Sequence, residues 1–177
     1  MMKKSHELNG VKCFQIRALR GFGNVKKGGL GGWVESESNL SHDGNAWVGG
    51  NAQVFGNAQV FGDAWIYERA QVFGDAWVYD NAQVYGHARV FGNTQVFGHA
   101  WIYDNARVYD NARVYDDAQV FGDAWVCENT QTNDHTWVSG NLNATFDFSM
   151  LASSVSEITV DGINYVKKIT YSWEKEN

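Results

Sequence analysis

Polar and apolar positions repeat every six residues along most of this chain. From Gly44 to Ser139 one phrase recurs sixteen times without a gap: turn residue, turn residue, small, variable, aliphatic, aromatic. Gly56-Asn57-Ala58-Gln59-Val60-Phe61 is a clean copy, and Gly62-Asp63-Ala64-Trp65-Ile66-Tyr67 follows directly. A fixed short period predicts a solenoid, in which each coil covers only its neighbours and the open ends need caps. Ala58 and Val60 stand two apart and so share one side of a strand. Ala and Val or Ile barely vary and suit a narrow tube, which places them inside. The Gln, Trp or Arg between them then faces outward with the Phe or Tyr that follows. Gly-Asn, Gly-Asp and Asp-Asn fill the corners, because these residues accept turn conformations.

The run Val60, Ala64, Ile66, Ala70 obeys an aliphatic-any-any-any-small-any rule, and the block resembles the hexapeptide-repeat, left-handed parallel β-helix family. The resemblance covers about 96 of 177 residues. It implies an all-β triangular solenoid with three hexapeptides per coil and about five coils. More narrowly, Leu30-Gly31-Gly32-Trp33-Val34-Glu35, Asn39-Leu40-Ser41 and Gly44-Asn45-Ala46-Trp47-Val48 resemble a bacterial and bacteriophage subgroup. Its members are usually labelled acyltransferases or left uncharacterised. With three hexapeptides per coil, every eighteenth residue stacks. One face then carries Trp47, Trp65, Gln83, Trp101, Gln119 and Trp137 beside Tyr67, Tyr85 and Tyr103. A second carries Gln53, Gln71, Arg89, Arg107 and Trp125. The third carries Gln59, Trp77, Gln95, Arg113 and Gln131. Stacked like residues stabilise a sheet, which is the structural reading of these ladders.

The flanks follow other patterns. Residues 1–43 read as an N-terminal cap and first partial coil, with a strand across Val11–Leu19. Glycines 28, 29, 31 and 32 flank Leu30 without the Gly-Lys-Ser/Thr ending of a phosphate loop, and read as tight turns where the first coil begins. Residues 140–177 read as a C-terminal cap. Within it Phe146–Val155 suggests a short helix or plug, and Ile158–Val166 a hairpin turning at Asp161-Gly162.

Composition adds limits. Pro is absent, as suits a chain that is mostly paired strand. The net charge of −6 is divided: residues 1–30 hold seven basic residues against one acid, and the repeats hold eleven acids against four arginines. An acidic rod is a poor partner for nucleic acid, so the basic entry segment is where anion binding is expected to cost least. Cys13 and Cys127 form no disulfide or zinc pattern, and Cys127 reads as a surface variant in an aromatic column. Free thiols, no apolar run of membrane length and no leader pattern predict a cytoplasmic chain with no membrane contact. For a phage-encoded chain that means the host cytoplasm.

The family resemblance implies a homotrimer, and in its enzymes a histidine general base that uses an acyl-CoA donor. His87, His99 and His135 are the candidates here, each at the second turn position of its repeat. His99 and His135 fall on one corner, about 9–10 Å apart, too far to share a metal. No loop interrupts the repeats to shape a donor cleft. Asp80, Asp116, Asp117 and Asp134 share a corner and read as turn residues, so no metal or other cofactor is expected. The first expectation is therefore a non-enzymatic binding or assembly protein. It would use the aromatic face of Trp47, Trp65, Trp101, Trp137, Tyr67, Tyr85 and Tyr103, and the phage-like subgroup suggests a host protein or host signalling molecule as its partner. A trimeric acyltransferase is the alternative, and a carbohydrate-binding solenoid a weaker one.

Overall fold

The computed structural model of the chain describes residues 5–8, 10–133, 136–139, 141–142, 157–160 and 163–166. The molecule is an all-β parallel solenoid whose strands form three long sheets. Sheet I begins with β1 (Ser5–Leu8), β2 (Val11–Arg17) and β3 (Leu30–Val34) and continues through Gln53–Val54 and Arg89–Val90 to Asn141–Leu142. Sheet II has six strands, from Trp47–Val48 to Trp137–Val138. Sheet III has five, from Gln59–Val60 to Gln131–Thr132.

Each strand is only two residues long because the corner residues must turn the chain every six positions. Stability therefore comes from stacking. Trp47 pairs with Trp65, Gln83 with Trp101 and Gln119 with Trp137, eighteen residues apart and all parallel. Backbone bonds follow the same step: Trp65 N–H donates to Ala82 O at 3.0 Å, and Tyr67 N–H to Val84 O at 3.0 Å. The expected interior is correct. The Ala and Val or Ile rows from Ala52 to Val126 are fully buried and form one continuous apolar column. Three threonines that replace alanines, Thr94, Thr130 and Thr136, bond back to the carbonyls of Phe91, Cys127 and Asn133 at 2.6 Å, which satisfies each buried hydroxyl.

The ends depart from the period. Trp33 pairs with Gln53, twenty residues on, so the first coil has two residues more than the others and escapes a six-residue count. It also raises the solenoid to about six turns, one more than the repeats alone predict. In this coil Asn39 is buried, and its Nδ2 donates to Gly56 O and Ala58 O, both at 2.9 Å. At the far end Trp125 pairs with Asn141, sixteen residues on, which is where the hexapeptide register stops. The predicted hairpin is present as Glu157–Val160 paired antiparallel with Ile163–Val166. The expectation for Phe146–Val155 lies outside the described residues.

Gly31 and Gly32 are not turn residues. They lie in β3, both buried, where an added Cβ would sit 2.5 Å from Val48 O and from Ala52 O respectively. Close approach of the next coil, rather than turning, requires glycine there. At the corners, glycine and acid alternate along one full column and along part of a second, from Gly62 to Asp116. Gly50, Glu68, Gly86, Asp104 and Gly122 form one, and the acids adopt left-handed backbone with φ of 61° and 58°. Glu68 Oε2 accepts Gly86 N–H at 2.9 Å, and Asp104 Oδ2 accepts Gly122 N–H at 3.1 Å. The carboxylate thus bonds the amide of the glycine one coil on, a local bond of the kind that lets Asp tolerate this conformation.

Candidate functional site

The outer surface is built by two rows per sheet. The aromatic row stacks face to face: Tyr67, Tyr85, Tyr103 and Phe121 have centroid separations of 4.8, 5.1 and 5.2 Å and nearly parallel rings. Phe55, Phe73, Phe91 and Tyr109 form a second column, and Phe61, Tyr79, Phe97 and Tyr115 a third. The variable row leans onto these columns. Trp101 meets the ring of Tyr85 edge-on at 6.5 Å, and Trp137 meets Phe121 at 6.4 Å. Where Gln replaces Trp, it accepts from the same ring position: Tyr67 Oη donates to Gln83 Oε1 and Tyr103 Oη to Gln119 Oε1, each at 3.3 Å. The ladder role expected for these residues is visible in these stacked rings and hydrogen bonds.

Burial of the tyrosine columns raises their phenols. Tyr85 is pushed up to about 12, first by burial and then by the neighbouring Tyr67 and Tyr103. Tyr67 and Tyr103 are raised for the same first reason. Tyr109 also rises to about 12, through burial and then a hydrogen bond to Cys127. Cys127 itself is only 3% exposed. The expectation of a surface thiol fails because a small side chain in an aromatic column lies beneath the ring of its neighbour.

The seven aromatics expected on one face do lie on sheet II and its edge, but the N-terminal segment divides them. Trp47 is 8% exposed. Phe22 packs edge-on against it at 5.6 Å, and Gly23 lies against the Trp65 ring. Arg20 holds this cover in place through Gly44 O and Asn45 Oδ1. Beside the cover runs an open groove of about 680 Å³ between Trp47, Trp65, Tyr67 and Gln83. Further along the sheet, Trp101 and Trp137 are 40% and 42% exposed. Trp77, on sheet III, is 44% exposed and stands apart from them.

The histidines do not converge. His87 and His99 are exposed corner residues whose backbone N–H groups donate to Asp104 O and Asp116 O at 2.6 and 2.7 Å. Neither imidazole has a hydrogen-bond partner among the described residues that would orient it as a base. His135 and Asp134 lie outside the described residues. Among the described residues no three His, Cys, Asp or Glu side chains are grouped to hold a metal, and no helix is long and apolar enough to cross a membrane. What the hexapeptide reading overlooked is a second groove on sheet I, where Arg69, His87 and Arg89 meet His6 from β1. The corner and strand columns each hinted at it, but His6 arrives from outside the period.

No curated protein matches the chain. A family model described as the YdcK beta solenoid repeat matches residues 52–68, 82–98 and 100–116, each nearly one coil of the structure. Stacked coils and matched segments agree that the chain is a repeat-containing β-solenoid protein, similar over those segments to the YdcK beta solenoid repeat.

Proposed function

We propose that this chain is a non-enzymatic assembly and binding protein that uses the uncovered part of sheet II as its contact surface. The observation that carries the reading is the division of that sheet. Its first tryptophan, Trp47, is buried beneath the chain's own N-terminal segment and Trp65 is half-buried beside it, whereas Trp101 and Trp137 stand 40% and 42% exposed on a flat strip around Gln119. Two large aromatics on a flat surface are what a protein interface uses as anchors, and ordered aromatic columns beside them lose little entropy on contact. The occupant proposed is a further copy of this chain, with the trimer implied by the hexapeptide-repeat resemblance as the expected assembly. A host protein partner of a phage-encoded chain is the other use of the same surface. The acyltransferase alternative, with an acyl-CoA donor, draws no comparable support from the two exposed, unoriented imidazoles.

Sedimentation equilibrium of the full chain tests this. The wild type is expected to sediment as an oligomer, Trp101→Gln with Trp137→Gln as a monomer, and Trp77→Gln like the wild type. A wild-type monomer, or an oligomer untouched by the double substitution, refutes self-assembly through sheet II.

A further inference from the structure

Three of the four arginines in the repeats gather on one side of an otherwise acidic rod. Arg89 and Arg107 are direct register partners in sheet I. Arg69 stands two residues before Gln71, as His87 stands two before Arg89, so Arg69 and His87 are neighbours on the corner that feeds this sheet. Like charges opposed across a ladder destabilise it. The acids of the repeat do not relieve them: none of the three arginines forms an ion pair among the described residues. The nearest corner acid, Glu68, is occupied by the Gly86 N–H. Arg89 lies 5.5 Å over the Phe73 ring and Arg107 4.9 Å over the Trp125 ring. Arg89 Nε is buried without a hydrogen-bond partner among the described residues. A charged donor left buried and unbonded is costly, so the site favours an acceptor that the chain itself does not supply.

His6, Arg69, His87 and Arg89 line a groove of about 670 Å³ together with Gln53 and Gln71. That volume is typical of a small-molecule site. The two glutamines are already ordered, with Gln71 Nε2 donating to Gln53 Oε1 at 2.9 Å. The ring of Trp33 also lines the groove, 5.6 Å from that of His6. We propose that this groove binds a phosphate-bearing small molecule, its phosphate held by the guanidinium groups of Arg69 and Arg89 and its organic part against Trp33. A phosphate presents several acceptor oxygens and a charge near −2, which suits planar guanidinium forks better than a single carboxylate would. It also neutralises Arg89, one member of the opposed pair in the ladder. The site lies on sheet I and so stands independently of assembly through sheet II. It also moves the expected anion site from the basic entry segment to the repeats, with β1 contributing only His6.

Calorimetric titration of the full chain tests the proposal, with inorganic phosphate and phenyl phosphate as probes. Both are expected to bind, and Arg89→Gln and Arg69→Gln each to weaken binding about tenfold. Arg113→Gln is the control. Arg113 lies on sheet III, where its Nε and Nη2 donate to Gln95 Oε1 at 3.1 and 2.9 Å, and its loss is expected to leave binding unchanged. Tighter binding of phenyl phosphate, removed by Trp33→Leu, supports an organic phosphate; equal binding of the two probes supports the phosphate group alone as the determinant. The Arg69 variant keeps the test valid if Arg89→Gln fails to fold, because the Arg69 side chain bonds nothing in the ladder. Absence of heat with either probe at ~10 mM, or an equal loss in the Arg113 variant, overturns the proposal.

Discussion

Sheets I and II are made from the same six-residue phrase and close around the same column of alanine and valine, yet their outer rows differ. On sheet II the variable row is mostly tryptophan, and the chain hides Trp47 beneath residues 20–23 and half-buries Trp65 while leaving Trp101 and Trp137 in solvent. On sheet I the row changes from glutamine to arginine, and β1 adds a histidine where the arginines begin. Uniform interiors and dissimilar exteriors separate two tasks. The inward residues specify the coil, and the outward residues, where they are not needed for stacking, are left to specify contacts.

The sharpest break of this comparison is between tryptophans of one row. Trp47→Ala is expected to cost about 3 kcal/mol, because it empties a packed site beneath Phe22. Trp101→Ala is expected to cost under ~1 kcal/mol, the loss of one edge-on aromatic contact. Urea denaturation of both variants checks this, and equal costs would mean that the cover over Trp47 contributes nothing.

A smaller effect separates corner from face. Gly86→Ala places a Cβ at φ +70° and 2.8 Å from Asp104 N, so a loss of about 1–2 kcal/mol is expected from the backbone conformation alone, with the close approach adding to it. A thermal melt unchanged by this substitution would show that the alternation of glycine and acid is not required. Thr132 is a smaller case still. Its buried Oγ1 has no partner among the described residues, so Thr132→Val is expected to be neutral or to stabilise by up to ~1 kcal/mol. A clear destabilisation would mean that the hydroxyl is bonded in solution.

The smallest effect is confined to alkaline pH. The folded state holds the Tyr85 proton up to about 12, above the ordinary value near 10. Its contribution to stability is complete below pH 10 and is lost as pH rises through about 12, because the unfolded state releases the proton first. Urea midpoints above pH 10 should therefore fall less steeply in Tyr85→Phe than in the wild type. Identical slopes would mean that burial of this column does not hold the proton.

Much of the architecture was legible because it is periodic. The spacing of Ala58 and Val60 predicts the buried row, and the eighteen-residue step predicts that Trp101 stacks on Gln83. Features set by non-periodic neighbours were not legible. Trp47 carries the same local phrase as Trp101, and only Phe22 and Gly23 make it an interior residue. The twenty-residue first coil hides because its two extra residues fall between Leu40, which pairs with Val60, and Trp47, which pairs with Trp65, ahead of the first clean repeats. The arginine groove could have been found by overlaying the corner residue Arg69 on the strand residue Arg89 one coil later. His6 could not, since nothing in its local sequence points toward sheet I.

Thermal melting of the full chain over a hundredfold range of protein concentration tests the central claim most directly. An assembly that binds only folded chains raises its melting temperature with concentration. The wild type should show that rise, and the chain carrying Trp101→Gln and Trp137→Gln should melt at one temperature throughout, near that of the dilute wild type. A wild-type melting temperature independent of concentration, or a rise that persists in the double variant, would contradict the assignment of contact to sheet II.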